Sequence, residues 1–423
     1  MFSLFQDLFP LNRNFSSDDY DKAIERLNHH LPFKTIEFPF GESFNGWEIP
    51  PKWDLLKGEI HFNGKKIFEV DHALKIIGLS TPFSGKLNLS ELKRHLHHDH
   101  RFKDAIPYHF RQNYRPWERD WGFCVTKVFY DSLQEGAYEV CIETKERPGP
   151  LKVLECHIEG DRPETFTFVA HLDHPGMAND DLAGVVVGTE LFRRLKERKH
   201  KFSYKLLLVQ EILGSEFYLG AGKNRSKNII EACFLEMLGS KTPLALQSSR
   251  NENSSLEKEL MFSLKTLGTP FNSGPFKSII CNDEAIWESY NIPMCSLSRF
   301  PYPEYHCDKD NLSIISLEKL EESVSLLEKT IGRVDKKTMV QKKFTGNLCL
   351  SNPKYNLYID EGEVAFGSKK GKEAHKMRLL MDLIPTLKQP RFIEQICIDL
   401  DLEENLALEY LKKWKSKGLV NLL

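Results

Sequence analysis

His171-Leu172-Asp173-His174-Pro175-Gly176-Met177-Ala178-Asn179-Asp180-Asp181-Leu182-Ala183-Gly184 decides the fold of this chain. It follows directly on the apolar run Phe166-Thr-Phe-Val-Ala170. A short apolar run that stops at polar residues predicts a buried strand. Ending that strand in His-x-Asp places an imidazole at the carboxyl edge of a sheet, where open α/β sheets put their sites. A second carboxylate nine residues later opens a helical run from Leu182 to Arg194. That Asp is placed to share an ion with His171, while Asp173 holds the imidazole in one tautomer.

Outward from this stretch, strand and helix patterns alternate. Ala137–Thr144, Leu151–Ile158, Thr165–Ala170, Tyr204–Val209 and Ala232–Met237 read as strands, and Val185–Glu197 and Leu317–Gly332 as helices. Alternation of this kind predicts an α/β fold, a three-layer mixed sheet with helices on both faces. Before it, Ser17-Asp18-Asp19 caps a helical pattern of Tyr20, Ile24 and Leu27. Between Phe33 and Trp121, short β-like pieces alternate with turns, and Asn63-Gly64 between apolar residues is a hairpin signal. After the basic segment Lys336–Lys343, Leu357–Ile359 and Glu363–Phe366 suggest a hairpin. His375–Leu387, Arg391–Asp399 and Glu403–Lys417 read as three helices before Gly418-Leu-Val, a winged-helix pattern. The division expected is a catalytic α/β domain (1–35 and 122–340), a β-rich insert (36–121) and a winged-helix-like C-terminal domain (345–423).

Composition narrows the class. The chain has 423 residues, 41% hydrophobic and 28% charged, with a net charge of −2, so no global field draws it to nucleic acid or anionic membrane. No apolar run reaches membrane-spanning length, and Met1–Pro10 does not read as a secretory leader. Nine scattered cysteines without a Cys-x-x-Cys pair fit reduced thiols in a cytoplasmic protein. Lys412, Lys413, Lys415 and Lys417 are offset by Asp401, Glu403, Glu404 and Glu409, so the C-terminal unit reads as a packing or self-association module, not a DNA reader. His95-Leu-His97-His98-Asp-His100 follows a predicted helix and reads as its solvated end. Gly220-Ala-Gly222 lacks the lysine and spacing of a phosphate loop.

Four later segments carry a carboxylate or His at a strand end or turn: Gln210-Glu211, Cys233-Phe-Leu-Glu236-Met, Cys281-Asn-Asp283-Glu284 and Tyr302-Pro-Glu304-Tyr305-His306. An unpaired carboxylate within the apolar run Phe234–Leu238 is costly, so Glu236 calls for a cationic partner. In this order the segments resemble the co-catalytic dizinc exopeptidases, the zinc aminopeptidases and glutamate carboxypeptidases, from about Gly122 to Asp335. Trp47-Glu-Ile-Pro-Pro-Lys-Trp53, Ile106-Pro-Tyr-His-Phe110 and Trp121-Gly-Phe-Cys124 resemble a bacterial aminopeptidase-like branch with an inserted β domain and a C-terminal winged helix. That branch often accompanies polysaccharide biosynthesis.

The resemblance implies roles. His171 and Glu236 bind one zinc, His306 the other, and Asp180 bridges them, chosen over Asp181 because the family's bridging Asp lies four residues before a Gly, here Gly184. A cis peptide follows that Asp in the family. Asp173 supports His171, and Asp283 and Tyr305 belong to the substrate side. Asp283 alternatively starts the helix after it, and Asp308 and Asp310 read as a turn. Zinc is implied as one or two ions, with Mn²⁺ or Co²⁺ able to substitute.

One departure stands out. The wider family has adjacent Glu-Glu, a general base and then a zinc ligand, where this chain has Gln210-Glu211-Ile212. Either Glu211 is the base and the site beside His306 lacks a ligand, or Glu211 is the ligand and the base is Glu284 or Glu304. The run Leu-Val-Gln-Glu favours the base. The expected activity is metal-dependent hydrolysis of a small peptide or an amide on an amino sugar. The alternative is a non-catalytic or weakly catalytic peptidase-fold binding protein linked to polysaccharide biosynthesis.

Overall fold

The structure is a computed structural model and describes residues 1–222, 224–250, 254–360 and 369–423. Its strands, in chain order, are β1 (Lys34–Phe38), β2 (Lys52–Phe62), β3 (Lys65–Glu69), β4 (Phe83–Asn88), β5 (Ala137–Arg147), β6 (Leu151–Ile158), β7 (Thr165–His171), β8 (Ser203–Val209), β9 (Ile229–Leu235), β10 (Leu244–Gln247), β11 (Phe271–Gly274), β12 (Met294–Ser298), β13 (Met339–Lys342), β14 (Arg391–Phe392) and β15 (Val420–Leu422). The principal helices are α1 (Phe2–Leu8), α2 (Asp18–Asn28), α3 (Gly184–Leu195), α4 (Ser255–Leu267), α5 (Leu317–Val334), α6 (Lys369–Leu383), α7 (Ile393–Asp399) and α8 (Glu404–Ser416).

Eight strands form one mixed sheet in the order β1-β6-β8-β7-β9-β12-β10-β11. At its centre β8, β7, β9 and β12 run parallel. Every residue of β7, β8 and β9 is buried, as expected of parallel strands covered on both faces. One face packs on α1 to α5, through residues such as Phe5, Tyr20, Val186, Leu256 and Leu327. The other packs on Leu213, Phe217, Tyr218 and Trp287. This is the three-layer α/β architecture expected, and it aligns the carboxyl ends of β7, β8 and β9 along one edge.

The insert differs in extent from its expectation. Ala137–Thr144, expected among the strands of the main sheet, lies in β5 and joins the smaller sheet β3-β2-β5-β4. The first strand after Phe33, β1, goes the other way and edges the main sheet against β6. Propensity cannot distinguish the two sheets, because pairing is decided by partners distant in sequence. The Asn63-Gly64 hairpin forms as expected, joining β2 and β3 with both turn residues at positive φ, 52° and 74°. Ser17 caps α2 by accepting from the Tyr20 amide.

After α5 the basic segment contributes β13, the central strand of a three-stranded antiparallel sheet with β14 and β15. With α6, α7 and α8 it encloses a core around Leu380, Ile396, Leu411 and Trp414. Leu357–Ile359 is not in a strand, and its expected partner Glu363–Phe366 lies outside the described residues. No helix among the described residues is long and apolar enough to cross a membrane.

Two stability predictions follow from this packing. Trp414 is fully buried and stacks on Phe344. Trp414→Ala should destabilise the chain by ~3–5 kcal/mol, read from denaturant unfolding of the full chain, and Trp414→Phe by less. His200 lies beyond the end of α3, with Nδ1 2.8 Å from Asp335 Oδ2 and Nε2 2.8 Å from the Leu195 carbonyl. Both partners accept, and the Asp335 hydrogen bond raises the imidazole pKa despite burial. A raised value means this contribution is present in full below about pH 6.5 and fades as pH rises through the folded pKa. His200→Gln should therefore cost more stability at about pH 6 than at about pH 9. Equal losses at both would contradict this assignment.

Candidate metal centre

The loop leaving β7 is buried throughout, so each of its polar groups needs a partner. Asp310 supplies several. Its Oδ1 accepts from the Ala178 and Asn179 amides at 3.2 and 2.6 Å, and its Oδ2 from the Asp180 amide at 3.0 Å and the Tyr302 hydroxyl at 2.6 Å. Asn179 Oδ1 accepts from the Gly239 and Ser240 amides, tying the loop to the chain after β9. The Asp181 carboxylate accepts from the His171 and Met237 amides at 2.9 and 2.8 Å. Asp181 is thus consumed by backbone, and Asp180 is the one turned to the centre. The Asp180–Asp181 peptide is cis, as the resemblance implied. Gly184 is required, because a Cβ there would lie 2.1 Å from the Leu235 carbonyl oxygen. From the opposite side the buried Arg13 guanidinium donates to the carbonyls of Leu8, Leu172 and His174. Burial lowers its pKa to about 10.

After β8 the chain turns sharply at Ile212, with φ 63° and ψ −62°, where the Leu213 amide donates to the Glu211 carbonyl. A β-branched residue in this region is strained. The turn sets the Glu211 side chain toward the loop and lets the Ile212 amide donate to Asp283 Oδ1 at 2.7 Å. Gln210 faces elsewhere, its amide donating to the Phe15 carbonyl at 2.9 Å.

Imidazoles and carboxylates meet in this space. His174 Nδ1 lies 3.0 Å from Asp180 Oδ1 and its Nε2 3.3 Å from Glu211 Oε2. His306 Nε2 lies 3.1 Å from Asp180 Oδ2, a distance that suits an ion pair but without hydrogen-bond alignment. Tyr114, from the insert, donates to the same Glu211 oxygen. His171 Nε2 is 3.1 Å from Asp283 Oδ1, and Ser215 donates to the other oxygen of Asp283. The residue that holds His171 is therefore Asp283. Asp173, expected in that role, instead accepts the Glu211 amide at 3.0 Å. Asp283 is wholly buried under His171; it starts the short helix that follows, as the alternative reading had it, but its side chain makes no capping hydrogen bond there. Glu236 Oε2 accepts from Asn282 at 2.8 Å. Of the alternative bases, Glu284 is buried and bound to Gln247 and the Asn282 amide.

Burial and proximity pull the charges apart. Burial lowers the pKa of His171, but Asp283 outweighs it and the value rises to about 9. His174 rises well above the usual imidazole range because Asp180 and Glu211 overcome its burial. Burial works upward on Glu211, yet His174 and Tyr114 hold it down at about 2. Glu236 is pushed well above the carboxylate range by burial beside Glu284, Asp181 and Asp180.

Aromatic rings wall the centre. Tyr108 packs edge-on to His174 and His306, Phe110 sits against His306, and Tyr305 stacks on His306 with centroids 3.8 Å apart. The insert is fastened here: the Tyr108 amide donates to the His306 carbonyl and the Asp308 amide to the Ile106 carbonyl.

His171, His174 and Glu211 each offer one ligand atom, all within 4.8 Å of one another. Asp180 and His306 are also brought together, but no three of His171, Asp180, Glu236 and His306 converge this closely among the described residues. Buried oxygens of Asp173 (Oδ2), Asp180 (Oδ2) and Glu236 (Oε1) have no hydrogen-bond partner. Unpartnered buried carboxylate oxygens are costly, and a divalent cation relieves them. Imidazole and carboxylate donors suit zinc, so the residues fit such an ion.

His174, Asp310, Arg13 and Tyr114 received no functional role from the sequence. The signal for His174 was present, since it sits three residues after His171 in the same motif. The other three act through partners more than 90 residues away and left no local signal.

Comparison with known proteins agrees with the fold. Residues 2–337 match the family model described as a domain of unknown function, DUF4910. A Clostridium acetobutylicum protein, whose name gives a provisional assignment to polysaccharide biosynthesis with an aminopeptidase-like domain, is 26% identical over 332 residues, covering 76% of this chain and 75% of its own. A crystal structure from the same species, of a protein provisionally termed a peptidase, aligns with a TM-score of 0.76 at 22% identity, covering 100% of this chain and 96% of that one. The zinc aminopeptidase BSAP of Bacillus subtilis aligns with a TM-score of 0.60 at 13% identity, over 79% of this chain and 95% of its own. The chain belongs to the DUF4910 family and has the zinc aminopeptidase fold.

Proposed function

We propose that this protein is a metal-dependent hydrolase of peptide or amide bonds, aminopeptidase-like, that uses a metal-activated water. The observation that carries the reading is the convergence of His171, His174 and Glu211 beside unpartnered buried carboxylate oxygens, at the carboxyl ends of β7, β8 and β9. A bound divalent ion supplies an acidified water and polarises the scissile carbonyl. The chain's own residues do the rest. Tyr114 and His174 fix Glu211 through Oε2, leaving Oε1 to take a proton or complete the coordination. The rings of Tyr108, Phe110 and Tyr305 narrow the approach, which suits a chain end or a single amide more than the middle of a polymer. The substrate class proposed is a small peptide or an amide on an amino sugar, in a bacterial cytoplasmic setting. All nine cysteines are free, in keeping with that setting. The C-terminal unit, winged-helix-like in its elements, serves packing or self-association.

A second reading is favoured by one feature. Where the wider family carries two adjacent carboxylates this chain has only Glu211, flanked by Gln210, whose side-chain amide is spent on Phe15, and by Ile212. A weakly catalytic or non-catalytic binding protein linked to polysaccharide biosynthesis would tolerate that change. The Clostridium relative's name is in line with that linkage.

Chelation followed by zinc, manganese or cobalt should abolish and then restore hydrolysis of free-amino-terminal peptides or amino-sugar amides. Glu211→Gln should lower kcat by ~10²–10⁴-fold. Hydrolysis that survives chelation and this substitution would exclude the metal-dependent mechanism. Metal binding without any hydrolysis would favour the second reading.

A further inference from the structure

His174 lies inside the centre but outside the ligand set that the resemblance implies. Its ring nitrogens have separate partners, Asp180 Oδ1 for Nδ1 and Glu211 Oε2 for Nε2. A carboxylate on Nδ1 fixes the proton there and leaves the Nε2 lone pair facing outward, which is how metal-binding imidazoles are usually held. Asp283 stands in the same relation to His171, on Nε2, and leaves Nδ1 without a hydrogen bond among the described residues. Each histidine thus has a buried carboxylate behind one nitrogen, and the other nitrogen of His174 faces Glu211, with which it would share an ion. The backbone of His174 is pinned by Arg13, and Tyr108 packs against its ring.

Asp180 is occupied on one side only, since its Oδ2 has no hydrogen-bond partner. Oδ1 is taken by His174, and Oδ2 lies 3.1 Å from His306 Nε2. A carboxylate that bridges two cations needs both oxygens turned to them. Two ions ~3.5–4 Å apart also need compensating negative charge. The neighbours of Glu211 do not supply it: Gln210 is neutral and directed away to Phe15, and Ile212 is apolar.

We propose that the centre holds one divalent ion on His171, His174 and Glu211, with Asp180 orienting His174 instead of bridging a pair. This rests on the metal-dependent reading above and narrows it. Two imidazoles and a carboxylate leave the fourth tetrahedral position for water. Glu211 is then a ligand, and His306 lies beside the ion without binding it.

The test is metal titration of the full chain after stripping, using zinc against a chromophoric chelator and cobalt followed by its visible absorption. The wild type should saturate at one ion per chain. Zinc affinity should fall by at least ~100-fold in His174→Ala, fall by ~10–100-fold in Asp180→Asn and change little in His306→Ala. Two ions in the wild type would overturn the proposal while leaving the metal-dependent reading intact. So would an affinity lost in His306→Ala but kept in His174→Ala. No ion in the wild type would remove both. Thermal melting checks that the His174 variant folds. If neither it nor His174→Gln does, the wild-type stoichiometry and the His306 variant decide.

Discussion

The carboxylate of Asp310 is the tie on which the centre depends. It gathers three consecutive backbone amides, from Ala178 to Asp180, and one phenol, all out of contact with water. Without it the Asn179 and Asp180 amides would be buried and unpaired, each at a cost of about 1–3 kcal/mol, while the Ala178 amide also reaches the Asp310 carbonyl at 3.0 Å. This is how a loop bearing Asp173, His174, Asp180 and Asp181 is held inside the fold. Asn179, Asp181 and Arg13 complete the clamp from three other directions. The result is a cradle built from polar groups that hold one another in place.

Pairing explains how so many titratable groups coexist in a small volume. His171 is paired with Asp283, and His174 with both Asp180 and Glu211. Asp173, Asp180 and Glu236 each keep an oxygen that no protein group satisfies. Carboxylates are not usually left in that condition. The surplus of negative charge, placed at the ends of parallel strands, suits the cradle to a cation.

The insert and the sheet share the centre. Tyr108, Phe110 and Tyr114 come from the segment between the smaller sheet's strands, yet they contact His306, His174 and Glu211. The backbone pairing of Ile106 and Tyr108 with His306 and Asp308 fastens the two together. The insert thus brings to the centre aromatic side chains that the main sheet does not supply.

Much was legible in the residues alone. Apolar runs ending in His171, Gln210-Glu211 and Glu236 marked strands whose ends face one edge, because buried parallel strands need continuous apolar sequence. Asn63-Gly64 marked its hairpin, because few other pairs adopt positive φ twice in succession. Local chemistry of this sort is written residue by residue. Only the folded chain decided that β5 joins the insert, that Asp283 and not Asp173 holds His171, and that His174 stands between Asp180 and Glu211. Those outcomes depend on contacts between segments far apart in sequence, where several carboxylates are chemically equivalent and only their position in space distinguishes them.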